Sequence, residues 1–476
     1  VKLQDYLKKE YNYDPDVNDL WAKYINLWKS WYEGKVKKFH NYYIYNGKRK
    51  VRMSRASMQM AKKCCEDWAD LLFNEKCKIS LANEESNEQL NEILNKNDFW
   101  KFINESIEKA GASGTGAIVV SVRDMEYNEE LDIINVSNAE TTVEYVDVEK
   151  IFPLSWKGRR IKECAFASYR TERGKKYVFL SVHTLNPEGN YVIKNKVFLE
   201  TNGNITAVEN DDIIEEFNTG SSKPWFAIIG PQQNNNIYPD SPWGIPFFAN
   251  AIDTLEALDL SFDCLQFEMS ASRKRTFVRQ EAINIDIKSG EIQETFDPND
   301  VAFYVLPDGM NKEDLVQSES SEIRVSAICE AVSKNLALFS AQVGFGYDKY
   351  RFDPVAMATA TQVVSQNSEM YRRKKKHETG LENALFDIIE AISYASTAFG
   401  KYNIDTKGLA IQFDQSIVED KEAISLRMLR EVSAGVTAKY EYRMAIHGED
   451  ETTAKTKIKK IREEEPSLES LLGMSE

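Results

Sequence analysis

The chain has 476 residues, 42% of them hydrophobic, enough apolar surface to bury a large core in two or three domains or in one extended protomer. Its net charge of −15 argues against a protein that grips nucleic acid over its whole surface, but not against one past which nucleic acid slides. No run of 18 apolar residues occurs, so no membrane-spanning helix is expected, and the polar stretch from Val1 to Tyr13 does not read as a signal peptide.

Basic charge gathers early. Between Lys29 and Lys63 there are eleven Lys and Arg residues against the single acid Glu33, with Tyr42, Tyr43 and Tyr45 among them. Such a stretch suits nucleic acid or an acidic partner surface, and equally a solvated strip on an acidic protein. From Ser57 to Asn74 the residues Met60, Ala61, Cys64, Trp68, Leu71 and Leu72 recur at helical spacing, and Asn97–Ala110 repeats the pattern. A glycine-rich turn, Gly111–Gly116, leads into the strand-like run Ala117–Val122. Residues 117–230 then read as strands, for example Asp132–Val136, Thr141–Val146, Cys164–Tyr169, Tyr177–His183 and Tyr191–Leu199, in a mostly antiparallel α+β arrangement.

The stretch Gly230–Pro246, crowded with Pro, Asn and Gly, breaks regular structure and marks a hinge or boundary. After it, Phe248, Ala251, Leu255, Leu258, Phe262, Leu265 and Met269 are spaced alternately three and four residues apart, the seam of a helix packed against other helices. Its other face carries Glu256, Asp259 and Asp263, with Asp253 a turn earlier. A second helix is expected over Ser321–Val343, with short strands at Thr276–Val278 and Val301–Leu306 between the two. Gly344–Pro354 reads as a loop, and Thr359–Phe399 as a long helix that Gly380 kinks or divides. Shorter helices follow over Val418–Leu472.

Motifs for chemistry are sparse. The Gly111–Gly116 turn runs helix, glycines, strand, the reverse of a dinucleotide-binding fingerprint, and no GxxxxGK[ST] is present. No CxxC pair occurs and the four histidines lie far apart, so structural zinc is not expected and the six cysteines read as free thiols. The acidic run Asp211-Asp212-Ile213-Ile214-Glu215-Glu216 has no ordered ligand spacing beside it. Neither catalytic residues, cofactors nor a metal are expected.

Several segments, in this order, resemble the portal proteins of long-tailed, double-stranded-DNA bacteriophages of Gram-positive hosts. They are Met60–Glu75, Ala112–Ala117, Ser241–Gly244, the helix with Asp253, Leu258 and Asp259, and Phe352-Asp353 followed by Ala358–Tyr371. The resemblance implies a wing from residues 1–240, stem helices at 241–272 and 321–342, a clip at 273–320 and a tunnel loop at 343–357. It further implies a wing helix with a return strand at 358–415 and a crown at 416–476.

By the same resemblance, twelve or so copies form a ring at one vertex of the virion capsid, through which DNA is packaged and ejected without sequence readout. The ring contacts the terminase large subunit, scaffolding and major capsid proteins, and a head-completion or adaptor protein. Glu256, Asp259 and Asp263 are then expected to face the channel, where a negative wall keeps phosphates from sticking. Leu255, Leu258, Phe262 and Leu265 are expected to pack between subunits. Arg273, Lys274, Arg275 and Arg279 would dock terminase, and Lys349, Tyr350, Arg351 and Phe352 would touch DNA. A capsid or head-connector protein without DNA passage, or a metal-dependent nuclease, are the alternative readings.

Overall fold

The computed structural model describes residues 1–45, 49–123, 126–128, 133–135, 139–209, 213–271, 275–279, 303–306, 316–319, 324–350, 360–399, 402–414 and 421–464. The chain opens with helices α1 (Leu3–Tyr11), α2 (Pro15–Tyr32) and the single turn α3 (Lys37–His40). An antiparallel hairpin follows, β1 (Asn41–Tyr45) with β2 (Lys50–Ser54). Then come α4 (Met60–Leu72), β3 (Lys78–Ser80), α5 (Glu84–Lys96) and α6 (Phe99–Ser113). The apolar positions of α4 that set its periodicity, among them Cys64, Trp68, Leu71 and Leu72, are all buried, so the pattern reports the face turned to the core.

The strands that follow build two main sheets. The first has three strands: β4 (Gly116–Arg123) lies between β7 (Glu140–Asp147) and β14 (Phe226–Ile229), with the short pair β5 (Glu126–Asn128) and β6 (Ile133–Asn135) beside it in sequence. The second is a meander of β8 (Ile151–Lys157), β9 (Arg160–Glu172), β10 (Lys175–Leu185), β11 (Tyr191–Thr201) and β12 (Asn204–Val208), with β13 (Glu216–Asn218) also on β11. Every pairing in both is antiparallel, in keeping with the mostly antiparallel arrangement expected. Helix α1 covers the meander: Leu7 and Tyr13 share a small core with Val178, Leu180 and Phe198.

Beyond the proline-rich stretch stand α7 (Ile252–Ala271), the strands β15 (Arg275–Arg279), β16 (Phe303–Leu306) and β17 (Val316–Glu319), and α8 (Val325–Val343). Strand β15 pairs in parallel with β16 and antiparallel with β17. Helix α9 (Ala360–Phe399) has 40 residues, about 60 Å of helix, and is unbroken at Gly380. That glycine has a packing reason instead, since a Cβ there would lie 2.3 Å from the Gln232 side chain. Strand β18 (Ala410–Gln412) returns to pair with β3, and α10 (Lys421–Ser433), α11 (Lys439–His447) and α12 (Glu451–Glu464) end the described chain.

The main core runs continuously from Trp21 and Trp28 of α2 through Trp68, Phe99, Leu258 and Phe339 to Leu385 and Ile392 of α9. The α6–β4 turn is fixed in it by glycines. Gly114 caps α6 at φ +88°, and its carbonyl oxygen lies where a Cβ on Gly230 or Gly244 would be only 2.5 or 2.2 Å away. Three chain segments therefore cross with backbone on backbone, which only glycine permits. The turn is a helix C-cap and a packing node, in keeping with its helix–glycine–strand order.

Candidate functional site

The region best placed for function is the helical pair α7–α8 with the segments rooted on it. The two helices are antiparallel: Arg324 at the start of α8 pairs with Glu268 near the end of α7, and Asn335 donates to Ser261 Oγ at 3.1 Å. Helix α8 ends on Gly344 in the left-handed conformation (φ +94°), which closes its last turn.

The acids of α7 do not stand together. Glu256 is exposed. Asp259 is 3% exposed: its Oδ2 accepts from Ser57 Oγ at 2.9 Å and lies 2.9 Å from His40 Nε2, while Oδ1 accepts from the Met58 backbone N–H at 2.8 Å. The Val36 N–H donates to His40 Nδ1 at 2.9 Å, so the ring's proton sits on Nε2 and points at Asp259. One turn along, Asp263 Oδ1 accepts from the Ala56 N–H at 3.1 Å. Both acids thus hold the two ends of the β1–β2 hairpin, residues 40 and 56–58. A carboxylate buried among three donors adds no charge to a pore wall, and the expectation for Asp259 is corrected accordingly; Asp263 is only half-buried.

The apolar seam is corrected at Leu255 and Leu258. Leu255 and Leu258 are 2% and 0% exposed within the single protomer, packed in its main core, and leave no surface for a neighbour. Phe262 and Leu265 are half-buried. Among the apolar residues of the pair that reach solvent are Leu260, Phe267 and Met269 on α7, 45%, 60% and 51% exposed, and Leu338 on α8, 45% exposed. The heptad spacing is real; at Leu255 and Leu258 it is satisfied inside the molecule, whereas at Met269 it reaches solvent.

The segment after α8 is anchored at its start. Phe345 is buried and stacks on Trp68 with ring centroids 4.5 Å apart, and Phe247 stacks on the same indole at 5.4 Å. The indole Nε1–H donates to the Val343 carbonyl at 3.1 Å. His377 packs edge-on to Trp68 and Phe247, its Nδ1 accepting from the Gln232 N–H at 2.9 Å. Burial, aided by Arg373 and Lys376, pushes its pKa down to about 3.

Tyr350 is half-buried and donates to Asp67 Oδ2 at 2.8 Å; desolvation, with the nearby thiols and Asp67, holds its phenol well above the usual range. Tyr350 is therefore pinned to α4 and is not a free DNA contact. Lys349 is exposed, with its ammonium 5.6 Å from the Phe345 ring centroid. Arg351 and Phe352 lie outside the described residues, as do Arg273 and Lys274, while Arg275 and Arg279 bound strand β15.

The sequence reading missed His40, Ser57 and Asp67. Their partners lie more than 200 positions away, and no spacing rule links such pairs. Among the described residues no group of His, Cys, Asp and Glu could hold a metal ion, and no helix is long and apolar enough to cross a membrane. All six cysteines are free. What the arrangement offers is a braced helical pair carrying a basic hairpin on one side and an exposed cation, Lys349, beyond its end.

No curated protein sequence matches the chain. A family model described as "Phage portal protein, SPP1 Gp6-like" matches residues 13–467, which takes in both sheets, the helical pair and the C-terminal helices. Since the match spans nearly the full order of elements described above, the chain belongs to the phage portal protein family, whose members are structural parts of the virion capsid vertex.

Proposed function

We propose that copies of this chain form a ring of about twelve subunits at one capsid vertex, and that double-stranded DNA enters and leaves the capsid through its centre. The observation that carries this reading is the antiparallel α7–α8 pair with exposed Leu260 and Leu338, in a chain whose residues 13–467 match the portal family. Exposed leucines on paired helices favour packing against further copies, and cyclic symmetry gives each copy the same two neighbours.

In this reading α7 and α8 form the stem and β15–β17 belong to the clip, where Arg273, Lys274, Arg275 and Arg279 meet the terminase large subunit and later a head-completion or adaptor protein. The sheets and α9 form the wing, facing scaffolding and major capsid proteins, and α10–α12 form a small crown. Of the three stem acids, Glu256 and the half-buried Asp263 remain candidates for the channel wall. Lys349 and Arg351 make passing contacts with phosphates, without base readout.

The test is the native mass of the purified protein together with negative-stain images. Rings with a central hole support the reading. A monomer at every concentration tried, under conditions where the chain is folded, overturns it.

A further inference from the structure

The hairpin β1–β2 is a strongly charged feature that the portal reading leaves without a role. From Gly34 to Cys65 there are ten Lys and Arg residues and no acid. The whole chain is −15 and this stretch is +10, so the remainder carries −25. In the described residues no carboxylate pairs with Lys35, Lys37, Lys38, Lys50 or Arg52, and the polar contact made by Arg52 is to the neutral amide of Asn41 at 2.9 Å.

The register puts chemistry on one face. Tyr43 is opposite Arg52 and Tyr45 opposite Lys50, and residues two apart point the same way, so one side of the ribbon presents two tyrosines and two cations. All four are exposed, Tyr43 at 66% and Tyr45 at 70%. On the other side Tyr42, Met53 and Val51 are half-buried and Ile44 is 44% exposed. An isolated two-stranded ribbon is marginal in water, yet this one is clamped at both roots to Asp259 and Asp263 of α7.

The geometry points to an arm that docks on a neighbouring copy of this chain, its Tyr43, Tyr45, Lys50 and Arg52 face lying on the acidic surface of that neighbour. Aromatic residues and arginine are the side chains enriched at the centres of protein interfaces. Duplex DNA is the poorer occupant: its bases are stacked inside, so the two tyrosine rings would have nothing to stack on and only their hydroxyls could serve, as donors to phosphate. The −25 carried by the rest of each subunit supplies the complement. Because the arm grows from α7, the contact would tie one subunit's helical pair to the next. The inference rests on the ring reading and goes beyond it.

The experiment treats the wild-type assembly with a zero-length carbodiimide, which joins only lysines and carboxylates in contact, and maps the products by mass spectrometry. Lys50 should link to a carboxylate of a second copy. In parallel, the pair K50E and R52E should keep the wild-type melting temperature, since both residues are exposed, and shift the protein from rings toward smaller species at physiological salt. Rings in the variant indistinguishable from wild type, or intact wild-type rings without any intersubunit Lys50 link, overturn the arm. Loss of duplex binding by fluorescence anisotropy with unchanged rings assigns the face to DNA, and likewise overturns it. A wild-type protein that never forms rings instead removes the portal reading beneath.

Discussion

His40 Nε2 lies 2.9 Å from Asp259 Oδ2, both side chains are buried, and the two residues are 219 positions apart. The pair, with Ser57 and the Met58 N–H on the same carboxylate, makes α7 the anchor of the basic hairpin. Replacing Asp259 by Ala leaves His40, Ser57 and the Met58 N–H without their acceptor. We expect a loss of about 3 kcal/mol in stability. Trypsin should also cut faster at the hairpin's Lys50 and Arg52. Glu256→Ala, at an exposed position of the same helix, should stay within about 0.5 kcal/mol. Urea unfolding and timed proteolysis of the two variants check this; equal behaviour would show the hairpin to be held elsewhere.

Leucines two positions apart on α7 should fail in different ways. Leu258 is fully buried, so Leu258→Asp puts an unpaired charge in the protomer core and should cost several kcal/mol, on the order of 4, unfolding the subunit itself. Leu260 is 45% exposed, and Leu260→Asp should leave the circular dichroism spectrum and melting temperature of the subunit nearly unchanged while lowering the yield of rings. Size-exclusion chromatography beside thermal melts separates the two effects.

Acid should weaken the fold through two buried histidines. His183, between Phe166 and Phe226, has its pKa pushed down to about 3 by burial, as does His377. In the unfolded chain each titrates near ~6.5. Above that value both states are unprotonated and no cost arises. As pH falls below it the unfolded chain binds a proton that the folded chain refuses, so stability declines toward about pH 3, by roughly 1.4 kcal/mol per pH unit per histidine. His183→Phe suits the ring-lined site and should remove one proton's worth of that slope between pH 6 and 4. An unchanged slope in urea titrations would place the proton uptake on other groups.

Neighbours in the segment after α8 also divide. Tyr350→Phe removes the hydrogen bond to Asp67, which keeps its ion pair with Lys63 at 3.0 Å, and should cost about 1 kcal/mol. Lys349→Ala with Arg351→Ala should not lower stability measurably, but should reduce DNA packaging or retention in assembled particles. If the double variant packages and retains DNA like wild type, the segment is only a connector.

Local pattern was legible where local pattern decides. The spacing of Met60, Cys64, Trp68 and Leu72 gave α4, runs rich in β-branched and aromatic residues between turns gave the antiparallel strands, and the glycines after Ala110 gave a turn in place of a phosphate loop. The heptad spacing of Leu255 and Leu258 gave a helix as well, but spacing records that a face is covered and not by whom. A core inside one subunit and a seam between two present the same leucines. The same ambiguity governs Asp259: an acid opposite an apolar seam reads as solvent-facing until His40, Ser57 and Met58 arrive from the far end of the chain. Helix α1, the beginning of α2 and the β1–β2 ribbon were not legible, since they are mostly polar and take their order from what they pack on.

The pairing of β3 with β18 has a consequence for how the protein is made. Ser80 meets Ala410, so a strand translated early waits for one translated about 330 residues later, roughly 20–60 s at the usual pace of a ribosome. The crossing of Gly114 with Gly230 and Gly244 imposes an earlier wait of the same kind. A nascent chain cut short before residue 410 would leave β3 without β18, a species fit for proteolysis. In the proposed ring, where each copy meets two neighbours, a fold that matures only once residue 410 has been made would keep copies cut short before it out of the assembly.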